Sequence, residues 1–332
     1  MIVRGPILVV GAYGYRNVGD EAILAGLLAS LAGHRVTVLS RSPAETSALH
    51  GVAAIGLPEA IPALRRHRTV LIGGGGLFGR DMGRIGRMLP LYGLLAKRLG
   101  RTLLVDGVGV DAGMIGVDRF LVRRLLLAAD QVTVRDEASA RSLGDWGIVP
   151  LVARDLSARM PPVAAEIGRS LLRTAGVDGR RPVIGLCLTA VNDALAPSMA
   201  DAVAHLVRRH PEWQFCFIPM SQHPFVDRHN DLHMARSLRE RSPTLKIVEG
   251  AHHPAAVLSL FSALDAVVAM RYHGLLFAER AGAPLVPVAY AEKCVAWLDE
   301  RGLRAVEPTS RALSRALSRI LARPLPARSK AS

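Results

Sequence analysis

The chain has 332 residues, of which 50% are hydrophobic and 5% aromatic, and its formal net charge is +14. That length and apolar fraction suffice for two domains of ordinary size, and the positive charge favours anionic partners. No apolar run reaches the roughly 18 residues of a membrane span, and the N-terminal apolar run is too short for a secretory signal. The basic runs also lack the interleaved aromatic residues on which nucleic acid stacks. We therefore expect a cytoplasmic protein that does not bind nucleic acid.

Three cysteines, Cys187, Cys216 and Cys294, lack the spacing of a disulfide framework or a metal site. Two of them fall in apolar runs that predict buried strands, where cysteine is a small core residue. We expect no metal and no bound cofactor.

The first half of the chain alternates short apolar runs with helical patterns. Strands are predicted at 6–10, 35–39, 69–72, 102–106, 131–134 and 149–153, with helices that include 84–99, 118–129 and 137–146. Strands that alternate with helices indicate a parallel sheet covered by helices. We assign residues 1–160 to this first domain.

The first predicted strand leads into a glycine-rich corner that extends from Gly11 to Glu21, before a helix at 22–31. Glycines let a backbone approach a ligand closely, and the amino end of a helix favours negative charge. Asp20 and Glu21 lie where acids stabilise a helix start, and either could equally serve as a base for a hydroxyl. The spacing matches neither a Walker motif nor Gly-x-Gly-x-x-Gly.

Two further corners follow the next predicted strands. The run Gly73-Gly74-Gly75-Gly76 follows 69–72, and Asp106-Gly107-Val108-Gly109 begins at the end of 102–106. Four consecutive glycines disfavour regular structure on entropic grounds, so we expect the strand to end before them. Tight packing between strand and helix is the alternative explanation for both corners.

A hinge is predicted at 161–181, which holds a proline pair, a helical run and a glycine-arginine turn. The alternation then resumes, and we assign 182–323 to a second domain and 324–332 to a basic tail. The predicted strands of the second domain are 183–188, 215–218, 246–248, 266–269 and 285–288. Its predicted helices are 197–210, 228–241, 254–262, 274–281 and 310–322.

The strand at 266–269 delivers Arg271 and His273 to a strand-to-helix corner. In open α/β sheets, ligands bind at the carboxyl ends of the strands. Arginine offers a fork of donors to carboxylate or phosphate, and histidine exchanges a proton near neutrality. Alternatively, Arg271 pairs with a local acid and His273 caps the helix. With the glycine-rich corners in the first domain, this corner predicts a cleft between the domains.

The predicted helix at 310–322 has leucines on one face and arginines on another. It could lie at a membrane surface and face anionic lipid, which would make the protein peripheral on the inner face of the membrane. We favour the alternative, a helix packed on its own domain with a solvated basic face, because it is short and lacks aromatic residues.

Several segments, in this order and spacing, resemble the polysaccharide pyruvyl transferase family. Five carry most of the likeness: Gly-x-x-Gly-x-x-Asn-x-Gly-Asp-Glu-Ala at 11–22, the glycine run at 73–76, Asp106-Gly107-Val108-Gly109, Val134-Arg135-Asp136 with Ser139, and Arg271-x-His273. Asp155, the segment 217–221, and Tyr290 with Lys293 add to it. The likeness covers nearly the whole chain.

This resemblance implies an α/β protein of two Rossmann-like lobes with a cleft between them, similar to glycosyltransferases of the B fold. It implies a cell-envelope enzyme that moves pyruvate from phosphoenolpyruvate to a sugar of a polysaccharide or lipid-linked glycan precursor. The product would be a pyruvate ketal, and the donor substrate would take the place of a cofactor.

The resemblance also suggests roles for individual residues. We expect Arg271 to hold the phosphate or carboxylate of the donor, His273 to shuttle the proton, and Asp20 to act on the sugar hydroxyl. The expected donor-binding residues are Arg271, His273, Gly274, Gly74, Gly75, Arg16, Ser221 and Lys293. The expected acceptor-binding residues are Asn17, Asp20, Glu21 and Asp106.

One segment departs from the family pattern. Many members carry a basic residue soon after the first strand of the second lobe, but residues 185–192 contain no cation. Arg16 or Lys293 could supply the missing contact, or the donor could differ. Two alternatives stay open: a glycosyltransferase that uses a nucleotide sugar, and a non-catalytic protein that binds a glycan.

Overall fold

The computed structural model describes residues 5–80 and 82–322. The chain divides into two compact units, Met1–Pro161 and Pro162–Ser332. In each unit, parallel strands alternate with helices, which confirms the α/β class predicted from the sequence. The predicted basic tail at 324–332 lies outside the described residues.

The described part of the first unit forms a seven-stranded sheet in the order β3-β2-β1-β4-β5-β6-β7. Its strands are β1 (Ile7–Val10), β2 (Val36–Leu39), β3 (Ala53–Ile55), β4 (Thr69–Phe78), β5 (Thr102–Val110), β6 (Gln131–Val134) and β7 (Leu151–Val152). Its helices are α1 (Val18–Ser30), α2 (Pro43–His50), α3 (Ala60–Arg66), α4 (Arg84–Arg98), α5 (Gly116–Ala128) and α6 (Glu137–Gly144).

The inner strand β1 shows why this sheet needs helices on both faces. Successive side chains of a strand point to opposite faces, and all four residues of β1 are buried. Ile7 and Val9 pack in one apolar cluster with α1, while Leu8 and Val10 belong to a second cluster on the other face. A continuous apolar run of this kind is typical of a parallel sheet covered on both sides.

The glycine run does not end its strand, so the expectation that β4 stops before Gly73 was wrong. β4 continues to Phe78, pairs with β5 through the glycines, and shifts register only between Gly75 and Phe78. Gly74 has φ +57°, and a Cβ on it would lie 2.0 Å from Cγ2 of Ile23 on α1. Pairing with β5 therefore offsets the entropic cost, and the absent side chains let α1 approach the sheet.

The described part of the second unit forms a five-stranded sheet in the order β10-β9-β8-β11-β12. Its strands are β8 (Val183–Cys187), β9 (Gln214–Phe217), β10 (Lys246–Ile247), β11 (Ala266–Ala269) and β12 (Leu285–Pro287). Its helices are α7 (Ala165–Thr174), α8 (Ala196–Arg209), α9 (Asp231–Arg241), α10 (Pro254–Phe261), α11 (Tyr272–Ala281), α12 (Glu292–Asp299) and α13 (Ser310–Leu321).

The predicted hinge at 161–181 contains helix α7, which packs on α10. The Ser259 hydroxyl joins them, because it accepts from the amide of Gly168 at 3.2 Å and donates to the carbonyl of Ala164 at 2.9 Å. This helix therefore belongs to the structure of the second unit.

The C-terminal helix α13 turns its leucines inward. Leu313 and Leu317 are fully buried in the core of the second unit, while Arg311, Arg315 and Arg319 are exposed. The apolar face is thus occupied within the unit and is not presented to a membrane. Among the described residues, no helix is long and apolar enough to cross a membrane.

The three cysteines are free thiols inside the second unit, each fully buried. Burial raises the pKa of Cys216 to about 12 and raises that of Cys187 well above its ordinary value. Cys294 donates to the carbonyl oxygen of Met270 at 3.5 Å. All three therefore serve as core residues, as the sequence predicts for the two in strands.

Candidate active site

The glycine-rich corner of the first unit begins with a helix cap. Asn17 is the N-cap of α1, and its side-chain oxygen accepts from the amide of Gly19 at 3.0 Å. The next turn holds Asp20 and Glu21, where acids interact favourably with the helix dipole. The carboxamide of Asn17, expected to bind the acceptor, thus contributes to the start of the helix.

Glu21 lies beneath the corner instead of facing solvent. Its side chain is only 6% exposed, its Oε1 accepts from the amide of Gly14 at 2.9 Å, and its Oε2 lies 2.8 Å from Nε2 of His50. His50, at the end of α2, is also buried. This carboxylate therefore ties the glycine-rich loop to two helices, a positioning role that the sequence did not reveal.

Tyr13 joins the glycine-rich corner to the glycine run. Its buried hydroxyl donates to the carbonyl of Gly73 at 2.9 Å. Burial raises the pKa of this phenol well above its ordinary value, and the charges of Asp20, Glu21 and Asp106 add to the shift. The three acids expected to bind the acceptor thus all lie near one tyrosine.

Asp106 and Asp20 lie in different surroundings. Asp106 is buried on β5, accepts from the hydroxyl of Thr133, and lies 3.8 Å from Nη1 of Arg159. Asp20 is half-buried, and its Oδ1 lies 3.2 Å from where a Cβ on Gly75 would stand. Asp20 is therefore the acid that sits beside the glycine run.

Arg16 pairs with a carboxylate on α2. Its φ is +55°, and its guanidinium forms an ion pair with Glu45 in which Nε lies 3.0 Å from Oε2. Both side chains are more than 40% exposed. The pair lies on the surface of the first unit, and Arg16, expected to bind the donor, already has a carboxylate partner there.

In the second unit, Arg271 is held by a buried acid. It is the N-cap residue of α11, and its Nη2 and Nε lie 2.5 and 3.2 Å from the two carboxylate oxygens of Asp231. Burial raises the pKa of the Asp231 carboxyl, and the positive charge of Arg271 opposes that shift. The sequence left open whether Arg271 pairs with a local acid; it pairs instead with an acid 40 residues away in the chain.

Residues after several strands converge on this pair. The amides of Met220 and Ser221, which follow β9, donate to Asp231 Oδ2 at 3.1 and 2.9 Å. The hydroxyl of Thr189, after β8, also favours the ionised form of this carboxyl and lowers its pKa. The segment that lacks the expected cation therefore supplies a hydroxyl that stabilises this carboxylate.

Two further side chains approach the guanidinium. Burial raises the pKa of the phenol of Tyr290, after β12, and the positive charge of Arg271 opposes that shift. Burial lowers the pKa of His229, and the positive charge of Arg271 lowers it further. His229 and Asp231 flank Asn230, the N-cap of α9, and the sequence places both in the first turn of the helix predicted at 228–241.

The amino end of α11 carries the remaining predicted donor contacts. His273 is half-buried, and its ring meets that of Tyr272 edge to face at 5.6 Å. Lys293, at the start of α12, places its Nζ 5.9 Å from the centre of the Tyr272 ring.

A Cβ on Gly274 would lie 3.1 Å from Cβ of Cys187, so glycine lets α11 approach β8 closely. The first turn of α11 contains no acid, which suits an anionic ligand.

Solved structures of low sequence identity share the fold. A UDP-GlcNAc 2-epimerase from Neisseria meningitidis, bound to UDP-GlcNAc, matches with a TM-score of 0.66 at 11% identity, over 96% of this chain and 92% of that one. The ADP-heptose lipopolysaccharide heptosyltransferase II of E. coli matches with a TM-score of 0.54 at 14% identity, over 96% and 98% of the two chains. Both are sugar-nucleotide enzymes by their names, and the likeness establishes the glycosyltransferase-B-like fold class.

Among proteins of curated function, none matches the sequence. The family model described as polysaccharide pyruvyl transferase, however, matches residues 17–292. That range includes Asn17, Asp20, the glycine run and the Arg271/His273 corner, and it ends one residue before Lys293. Because the match extends over most of the chain, this protein is a transferase that belongs to the polysaccharide pyruvyl transferase family.

Proposed function

We propose that this transferase moves pyruvate from phosphoenolpyruvate onto two hydroxyls of a sugar in a polysaccharide or lipid-linked glycan precursor, forming a pyruvate ketal. The observation that carries the proposal is the fixed guanidinium of Arg271 at the acid-free amino end of α11, with His273 two residues further on. The family match supports the reaction class.

Phosphoenolpyruvate needs anion contacts and a proton donor. Arg271 and the amino end of α11 suit its phosphate or carboxylate, and Lys293 adds a cation near the same turn. His229, whose pKa is lowered, favours the neutral imidazole at neutral pH and can accept or donate a hydrogen bond beside the guanidinium. Lys293 and His229 therefore take the place of the cation that residues 185–192 lack.

The chemistry requires one proton to be added at carbon and two to be lost from oxygen. Protonation of the donor methylene makes a methyl group and leaves C2 electron-poor, so that a sugar hydroxyl adds and loses its proton. Phosphate then leaves with the electrons of its C–O bond, and a second hydroxyl adds to C2 and loses its proton. We assign the proton delivered to carbon to His273, and proton removal from the acceptor to Asp20.

Binding of phosphoenolpyruvate tests the donor assignment. The melting temperature of the protein is measured with phosphoenolpyruvate, uridine diphosphate or guanosine diphosphate, and each shift is referred to the same variant without ligand. A ligand at about 100 times its dissociation constant stabilises the fold by about 2.7 kcal/mol. We expect a shift with phosphoenolpyruvate that is lost in Arg271→Lys and kept in Arg241→Lys, whose exposed guanidinium pairs with Asp201.

The other outcomes separate the alternatives. A shift with a nucleoside diphosphate instead would assign the chain to nucleotide-sugar chemistry. No shift with any of the three, together with binding of an acidic glycan, would indicate a non-catalytic protein. Phosphate release that depends on both phosphoenolpyruvate and an acceptor glycan would complete the test.

A further inference from the structure

Large apolar side chains are exposed along the amino-terminal halves of α4 and α5 in the first unit. The exposed fractions are 79% for Ile115, 70% for Val117, 60% for Phe120, 45% for Leu91 and 40% for Met88. We call these five residues the α4–α5 surface. Single exposed apolar residues are ordinary, but clusters of them commonly mark interaction sites.

The two helix ends are neighbours. α4 and α5 follow the adjacent strands β4 and β5 and pack against each other. Arg87 on α4 and Asp118 on α5 join them, with Nε 2.7 Å from Oδ1. Met88 adjoins Arg87 in the sequence and Val117 adjoins Asp118, so this ion pair brings together the two segments that carry the exposed apolar residues.

Folding of the first unit does not require this apolar surface. The inward faces of the helices already fill the core, with Leu89 and Tyr92 buried on α4 and Val122 and Leu125 buried on α5. The α4–α5 surface is therefore an additional outward face of helices whose core contacts are complete.

The surroundings of this surface are basic. The amino-terminal half of α4 contains Arg84 and Arg87 and no acid, and the sequence of α5 contains three arginines and one acid, Asp118. Asp118 is already paired with Arg87. Arg119, Arg123 and Arg124 are exposed, and the guanidinium of Arg124 lies 5.9 Å from the centre of the Phe120 ring.

We propose that the α4–α5 surface docks the protein on an anionic lipid surface. Its aliphatic and aromatic side chains would enter the interface between headgroups and acyl chains, and the arginines would meet the headgroup phosphates. A second copy of the chain fits less well, because a two-fold interface brings the same patch against itself and would place arginines against arginines.

This docking site differs from the C-terminal helix suggested by the sequence. The leucines of α13 are buried in the second unit, so that helix offers arginines without an apolar face. The α4–α5 surface offers an apolar face with arginines beside it. It also lies at the helix ends that follow the carboxyl ends of β4 and β5, the edge of the sheet that carries the glycine run.

Sedimentation with lipid vesicles tests the proposal and does not depend on the identity of the donor. The full chain is mixed with vesicles of phosphatidylcholine alone or with one third phosphatidylglycerol. We expect binding to the anionic vesicles that weakens as salt is raised. The double variant Val117→Ser/Phe120→Ser should lose it, whereas Val149→Ser, which changes a valine that is 98% exposed, should bind like the original chain.

A second pair of variants separates the two basic helices. Arg119→Ala/Arg124→Ala should weaken binding by tenfold or more, on the order expected for two arginines at an anionic surface, and Arg311→Ala/Arg315→Ala on α13 should not. The reverse result would overturn the proposal. So would the absence of any vesicle binding, or a dimer in sedimentation velocity that becomes a monomer in Val117→Ser/Phe120→Ser.

Discussion

The carboxylate of Asp231 holds the guanidinium of Arg271 at two points, with no exposure of its own to solvent and 13% exposure of the arginine side chain. Two contacts fix the plane of the guanidinium as well as its position, which a single charge contact cannot do. Asp231 is thus a positioning residue for the cation that we assign to the donor.

Removal of the Asp231 carboxylate should lower the free energy of unfolding. Asp231→Ala leaves the partly buried Arg271 and the amides of Met220 and Ser221 without their acceptor, so we expect a loss of about 3–5 kcal/mol in the free energy of unfolding. Asp201→Ala breaks the exposed pair with Arg241 and should cost no more than about 1 kcal/mol. Urea unfolding of both variants measures the difference, and equal losses would contradict the burial argument.

His229 should report the charge of Arg271 through its titration. Its pKa in the folded state lies below the ordinary 6.5, so the folded protein takes up this proton less readily than the unfolded chain. The stability that follows is present above pH 6.5 and declines as the pH falls below it. In Arg271→Gln, the NMR titration midpoint of His229 should move upward. An unchanged midpoint would mean that the two side chains do not interact.

The proposed proton transfer predicts a defect in turnover without a defect in folding. His273→Ala should lower the rate of ketal formation by about 10²- to 10⁴-fold, the usual contribution of general acid–base catalysis. His205→Ala, on the exposed face of α8, is the matched control and should react normally. Near-normal turnover of His273→Ala would remove this residue from the mechanism.

Glu21 should contribute to the stability of the fold, although the sequence suggests a role in acceptor binding. Glu21→Ala leaves the buried amide of Gly14 and the ring of His50 without a carboxylate, and we expect a cost of about 1–3 kcal/mol in unfolding free energy. Glu45→Ala removes the same side chain from the exposed pair with Arg16 and should cost less than about 1 kcal/mol. Thermal or urea unfolding distinguishes the two.

The glycine run should tolerate side chains unevenly. Gly74→Ala places a Cβ 2.0 Å from Ile23 Cγ2 in a left-handed backbone, so we expect a loss of more than about 2 kcal/mol. Gly79→Ala has no heavy atom within 4 Å of the new Cβ and should stay within about 1 kcal/mol of the original chain. Similar losses in both variants would show that α1 does not restrict Gly74.

The alternation of the elements could be predicted from the sequence because parallel strands buried on both faces are apolar throughout. The run Ile7–Val10 and the run Ala266–Ala269 are examples, and both are strands in the structure. The extension of β4 through Gly73–Gly76 could not be predicted in this way. Its stability comes from pairing with β5 and from the approach of α1, and neither contact is local in the sequence.

The candidate site was predicted where its residues lie in one short segment. Arg271 and His273 share a strand-to-helix corner and were found together, whereas Asp231 lies 40 residues before Arg271 and looked like an ordinary acid in the first turn of a helix. Thr189 lies in the segment 185–192, whose only unusual feature in the sequence is that it contains no cation. The residues that surround Arg271 follow separate strands and are brought together by the sheet order β9-β8-β11-β12. That order could not be predicted from the sequence.

The three buried thiols have a practical consequence for spectroscopy. Because Cys187, Cys216 and Cys294 are enclosed, and burial raises the pKa of the first two, they should react slowly with maleimide reagents at neutral pH. A cysteine introduced at Val149 in the first unit and another at Phe225 in the second, both exposed, would then take up nearly all of a dye pair. Labelled at those two positions, the protein would keep all of its native cysteines.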